Sequence, residues 1–64
     1  MVDGKKIKEL REAAEISQEA LARDVGIAQP IMSYIERGLK QPSVSTLKRI
    51  ADRLNVPMDD LVLA

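Results

Sequence analysis

The stretch Ser17–Gly38 constrains this chain more than any other. It reads SQEALARDVGIAQPIMSYIERG and divides into two short helices joined by a tight turn. Ser17 suits an N-cap, because its hydroxyl oxygen can accept a bond from a free N–H group of the first helical turn. Leu21, Ala22 and Val25 follow at helical spacing and mark one apolar stripe. Gly26 can adopt a positive φ without a Cβ clash, so it ends the first of these helices and turns the chain, and Gly38 stops the second in the same way. Ile27 is an apolar plug in the turn. Gln29 and Pro30 open the second helix, with Met32 and Ile35 facing inward and Gln29, Pro30, Ser33, Tyr34 and Arg37 facing outward.

The whole chain is 64 residues, which leaves room for a single domain over 1–64 with one small core, the two-helix unit occupying 17–38. A chain of this length buries only about 60% of its unfolded surface, so oligomerisation is an expected source of extra stability. There is no cysteine and no histidine, which removes disulfides, the commonest zinc ligands and the usual general base. Without a nucleophile–base pair, a glycine-rich phosphate loop or carboxylates paired in an evident cleft, no enzyme activity, cofactor or metal site is expected. No apolar run approaches the ~18 residues of a membrane span and no secretory segment is evident, so the expected location is the cytoplasm.

Before the central stretch, Met1–Gly4 reads as a frayed end. Lys5 to about Ala14 forms a first helix, with Ile7, Leu10 and Ala14 on its inward face. Arg11 lies beside that stripe and therefore needs a partner or a route to water. Ile16 precedes the Ser17 cap, placed to pack back on it. After Gly38 comes a loop, Leu39–Pro42. Ser43 caps a fourth helix over Val44–Leu54, whose apolar positions are Val44, Leu47, Ile50, Ala51 and Leu54. Asn55 ends it, since Asn tolerates the left-handed region. Pro57 opens a short fifth helix with Leu61 as its inward anchor. Asp59 and Asp60 fall in its first turn, where a helix dipole favours negative charge and explains them better than a metal site does. No strand pattern is present, so the expected fold is all-α, a five-helix bundle.

Ten basic and ten acidic residues give no net charge, which weakens the simplest expectation for a nucleic-acid-binding domain. The distribution is uneven, however. From Ser33 to Arg49 the charges are Glu36 against Arg37, Lys40, Lys48 and Arg49, so a local basic surface is compatible with a neutral total.

These residues resemble the phage repressor/Cro-type helix-turn-helix domain, the XRE family, of lambda repressor-like fold. The resemblance covers about Ile7 to Leu61. It is carried by Ser17-Gln18 with Leu21-Ala22, then Gly26, then Ile35-Glu36-Arg37-Gly38, then Pro42-Ser43 with Thr46-Leu47 and Ile50-Ala51. It implies that the helix from Gln29 to Arg37 is a recognition helix with its first residues at base edges in the major groove. Gln29 would bond adenine, Pro30 would offer apolar contact to a thymine methyl, and Ser33 and Tyr34 would reach further bases. Tyr34 is equally placed to bond a phosphate or to pack on the Lys40 loop. Gln18, at a helix N-terminus, matches a phosphate contact, and Arg37, Lys40, Gln41 and Ser43 are placed to grip phosphates as well. Arg11 and Glu36 match an ion pair between the first and third helices. Three departures stand out: Ala28 occupies the usual capping position of the recognition helix, Pro30 that of a polar reader, and Tyr34 that of a frequent Arg, Lys or Gln.

The resemblance implies a sequence-specific double-stranded-DNA-binding regulator, a repressor, bound as a homodimer to a palindromic operator. The competing reading is a protein-interaction module on the same fold, such as an antitoxin or adaptor. Leu61, Val62 and Leu63 are the expected dimer surface, Leu61 through the fifth helix that it anchors and the other two as neighbouring apolar residues at the end of the chain.

Overall fold

Among the described residues four α-helices build the domain, and all four end in the same way. In this computed structural model, which describes residues 1–63, they are α1 (Gly4–Ala13), α2 (Gln18–Val25), α3 (Gln29–Glu36) and α4 (Val44–Leu54). Residue 64, the last of the expected domain, lies outside the described residues. The residues after the helices, Glu15, Gly26, Gly38 and Asn55, all have φ between 59° and 79°. Each helix then closes with a bond from the following apolar residue back to its last turn. Ile16, Ile27, Leu39 and Val56 donate to the carbonyls of Arg11, Ala22, Tyr34 and Ala51 at 2.8–3.1 Å. This left-handed closure satisfies carbonyls that a helix end would leave unpaired.

Helix starts are equally local in origin. Asp3, Ser17 and Ser43 accept from the N–H groups of Lys6, Ala20 and Thr46. Only α3 lacks a side-chain cap. It does without one because Pro30 has no N–H and Ile31 donates to the Ala28 carbonyl at 3.0 Å, which leaves few donors to satisfy.

The core comprises Ile7, Leu21, Ala22, Val25, Met32, Ile35, Leu47, Ile50, Ala51 and Leu61. Ile7, Leu21, Met32, Ile50 and Leu61 are fully enclosed. α2 packs on both α3 and α4, and α1 packs on α3. Arg49 Nη1 donates to the Val25 carbonyl and Arg53 Nε to Asp24 Oδ2, tying α4 to the C-terminal end of α2.

Five expectations are corrected. The fifth helix is a single 3-10 turn, Met58–Leu61. Four residues give too few bonds for an α-helix, and this tighter turn suffices to bring Leu61 into the core. Val44 is 74% exposed, because the first residue of α4 projects beyond the core that Leu47 enters. Ala14 is exposed because α1 ends at Ala13, past which helical spacing no longer directs a side chain inward. The start of the chain is not frayed. Val2 pairs antiparallel with Val62, with Asp3 N–H donating to the Leu61 carbonyl at 2.7 Å and Leu63 N–H to the Met1 carbonyl at 2.8 Å. Finally, Leu61 is fully buried within its own chain and has no surface to give a second copy. Val62 and Leu63 remain 41% and 51% exposed.

Candidate nucleic-acid interface

The outward face of α3 is built on a polar chain that begins in the interior. Arg11 on α1 and Glu36 on the last turn of α3 meet as a two-pronged ion pair. Arg11 Nε donates to Glu36 Oε2 at 2.8 Å and Nη2 to Oε1 at 3.1 Å. Their side chains are 10% and 2% exposed. The remaining guanidinium nitrogen, Nη1, donates to the Ile16 carbonyl at 2.8 Å. One arginine therefore ties α1 to α3 and to the loop that leads into α2. Its pKa is raised above the ordinary arginine value, chiefly by the hydrogen bonds to Glu36 and also by the charges of Glu36 and Glu12, against the opposing effect of burial. Such a fork-to-fork pair fixes orientation as well as charge. Among the described residues no buried side-chain nitrogen or oxygen lacks a partner.

From Glu36 the chain runs outward. Gln18 Nε2 donates to Glu36 Oε1 at 3.1 Å, and Gln29 Nε2 donates to Gln18 Oε1 at 3.4 Å. The direction of these bonds follows from chemistry. An ionised carboxylate only accepts, so Gln18 must present its NH2 to Glu36 and its oxygen to Gln29. Gln29 is then left with a free Oε1 and one free N–H at the exposed start of α3. An acceptor beside a donor is the arrangement that matches the N6 and N7 edge of adenine. Gln18, at the first position of α2, keeps one side-chain N–H and lies among the unpaired backbone donors of a helix N-terminus.

Further along the same face, Pro30 and Tyr34 are exposed and Ser33 is half-buried. The Arg37 guanidinium carbon lies 5.1 Å from the centroid of the Tyr34 ring, within the range of a cation–π contact. Arg37 Nε also reaches the Ser33 carbonyl at 3.4 Å. Tyr34 thus supports Arg37 instead of standing alone, a pairing that their helical spacing of three permits. Lys40 and Gln41 are exposed on the loop before α4. Gln41 is partly engaged, since its Oε1 accepts the Val2 N–H at 2.8 Å, which leaves its NH2 as donor. The Ser43 hydroxyl is occupied as the α4 cap and also bonds Thr46 Oγ1 at 3.0 Å.

The fold therefore brings Arg11, Glu36, Gln18 and Gln29 into one connected network and sets Arg37 on Tyr34. The Val2–Gln41 bond and the close seat of Gly4 against α3 escape a reading of local pattern, because both join residues more than thirty positions apart. Among the described residues, no group of three or more His, Cys, Asp or Glu side chains gathers to hold a metal ion. Among the same described residues, no helix is long and apolar enough to cross a membrane.

Comparison with known proteins agrees with this architecture. The chain is 40% identical over 58 residues to an uncharacterised HTH-type transcriptional regulator of Mycobacterium tuberculosis, spanning 91% of this chain and 41% of that protein. It is 36% identical over 58 residues to the uncharacterised HTH-type transcriptional regulator YazB of Bacillus subtilis, covering 91% of this chain and 84% of the relative. The chain thus spans less than half the length of the first relative and most of the second. Among solved structures, SinR of Bacillus subtilis in complex with DNA superposes with a TM-score of 0.85 at 33% identity, over 92% of this chain and 98% of that one. The helix-turn-helix family model matches residues 7–61. With that match over nearly its whole length, the chain belongs to the phage repressor/Cro-type helix-turn-helix family.

Proposed function

We propose that this chain is a sequence-specific double-stranded-DNA-binding transcriptional regulator, a repressor, that lays α3 in the major groove. The observation that carries the reading is the state of Gln29: exposed, held by Gln18 against a buried ion pair, and left with a free donor and acceptor side by side. A side chain fixed before binding loses less freedom on contact than a solvated one, so its base contact contributes more to discrimination. The names of the relatives as transcriptional regulators and the DNA-bound state of SinR support the same reading. In it, Pro30, Ser33 and Tyr34 face further bases. Gln18, Arg37, Lys40, Gln41 and Ser43 neutralise or bond the flanking phosphates, with Gln41 acting through its NH2 and Ser43 through the helix start it caps.

One α3 spans eight residues, roughly 12 Å at 1.5 Å per residue, and reads only a few base pairs. The regulator accordingly acts as a homodimer on a two-fold operator, with Val62 and Leu63 as the contact between copies. Selection of bound duplexes from a random pool at fixed salt tests the proposal. It expects a recovered palindrome. Weak, salt-sensitive binding without enrichment would overturn it in favour of a protein-interaction module. Sedimentation equilibrium of Val62→Asp against wild type tests the dimer contact, and an unchanged dimer would remove it.

A further inference from the structure

Three consecutive residues at the start of the chain are each held by a different part of the fold. Val2 donates its N–H to Gln41 Oε1 on the α3–α4 loop. Asp3 donates to the Leu61 carbonyl and accepts from Lys6 as the cap of α1. Gly4, the first residue of α1, is buried. A Cβ at Gly4 would stand 2.1 Å from the Ile35 carbonyl oxygen and 2.8 Å from that of Glu36. Carbon and oxygen ordinarily meet at about 3.3–3.6 Å, so a side chain there requires a displacement of about 1 Å or more. The obstructing atoms are main-chain carbonyls in the last turn of α3, and they cannot swing aside as a flexible side chain would. The close approach is itself favourable, because the partly positive N-terminus of α1 meets the partly negative C-terminus of α3.

We propose that Gly4 is a positioning residue for DNA reading. By carrying no side chain it sets how closely the C-terminal end of α3 seats on α1, and so the angle at which Gln29, Tyr34 and Arg37 leave the domain. The proposal rests on α3 being the DNA-contacting helix. The tail cannot absorb the displacement, since Val2 and Asp3 are tied down and Ile7 is fully buried one turn later. On the other side Ile35 and Glu36 are buried, but Arg37, Gly38, Leu39 and Lys40, which follow them directly, are all exposed, so the last turn of α3 takes up the displacement. A Gly→Ala change in a helix ordinarily stabilises it, so a loss at this position reports the contact and not the backbone.

The test compares Gly4→Ala with wild type on the selected duplex and on a scrambled duplex at the same salt, where circular dichroism gives both proteins as fully folded. Amide chemical shifts are recorded in parallel. The expected result is about five- to hundred-fold weaker binding to the selected duplex, the range of one lost base contact. Binding to the scrambled duplex stays within about twofold, as phosphate contacts dominate there, and the shifts move at Tyr34–Leu39. Val56→Ala, a half-buried position after α4, serves as a stability control and keeps wild-type affinity. If Gly4→Ala is unfolded in buffer, trimethylamine N-oxide strengthens burial and both proteins are titrated in it. Equal affinity of folded Gly4→Ala and wild type, or failure to fold even there, overturns the positioning role. Failure of wild type to distinguish the two duplexes instead overturns the DNA reading beneath it.

Discussion

Replacing Glu36 by Gln removes between a third and all of the domain's stability. Glu36 receives Arg11 Nε on one oxygen, and Arg11 Nη2 and Gln18 Nε2 on the other. A carboxamide offers one acceptor and one NH2, so either orientation sets a donor against a donor. The Arg11 charge, with a side chain only 10% exposed, is left without its counter-ion. Removing one partner of a buried pair costs roughly 3–5 kcal/mol, and stability for 64 residues is of order 3–10 kcal/mol. Urea melts followed by circular dichroism measure this as a fall in midpoint at unchanged slope. The double variant Arg11→Met/Glu36→Leu recovers much of the loss, because desolvation of both charges is then avoided. Its shortfall reports the bonds to Ile16 and Gln18 that no longer form. A Glu36→Gln midpoint equal to wild type would mean instead that the Arg11 charge finds water and that the pair is not a buried one.

Glu15 has φ 59° at the end of α1, where Gly26 and Gly38 serve at α2 and α3. Glu15→Gly relieves about 1 kcal/mol of left-handed strain, partly offset by the greater freedom of the unfolded chain. Thermal melting should show a rise, and a fall would contradict the closure described. Ser17→Ala and Ser43→Ala each cost about 1 kcal/mol through the lost bonds to Ala20 and Thr46, measurable by the same melts. The Arg53–Asp24 pair, with side chains 45% and 32% exposed, is worth about 0.2–1 kcal/mol. Arg53→Ala should therefore lose little, and less at high salt. The raised pKa of Arg11 means its stabilisation is complete below the ordinary arginine value and is lost only as pH rises through the still higher folded value. Melts between about pH 6 and 10 should accordingly show no decline that Arg11→Met abolishes.

The readable parts of the fold were those set by neighbours in sequence. Ser17, Gly26, Ser43 and Asn55 carry their own reasons for starting or stopping a helix, and Ile7, Leu21, Met32, Ile35, Leu47 and Ile50 repeat at helical spacing. Glu15 has the backbone of a glycine without the residue type that signals it. Val44 fits the apolar spacing, yet the core stops one turn short of it. The order of Met1–Gly4 depends on Leu61, Val62 and Gln41, partners that no local pattern reveals. In the site, Gln29 and Gln18 are legible as polar residues at helix starts. The carboxylate that orients both becomes visible only when α1, α2 and α3 are packed together.

Whether Gln29 reads a base through this network is tested most directly by a base-substitution cycle. Wild type and Gln29→Ala are each titrated against the selected duplex and against duplexes changed at single positions of a half-site, all at one salt concentration. Wild type should lose about 1–3 kcal/mol at one A·T pair when it is changed. Gln29→Ala should lose the same amount on the unchanged duplex and become indifferent at that pair alone. A Gln29→Ala protein that still distinguishes every position as wild type does would show that Gln29 reads no base.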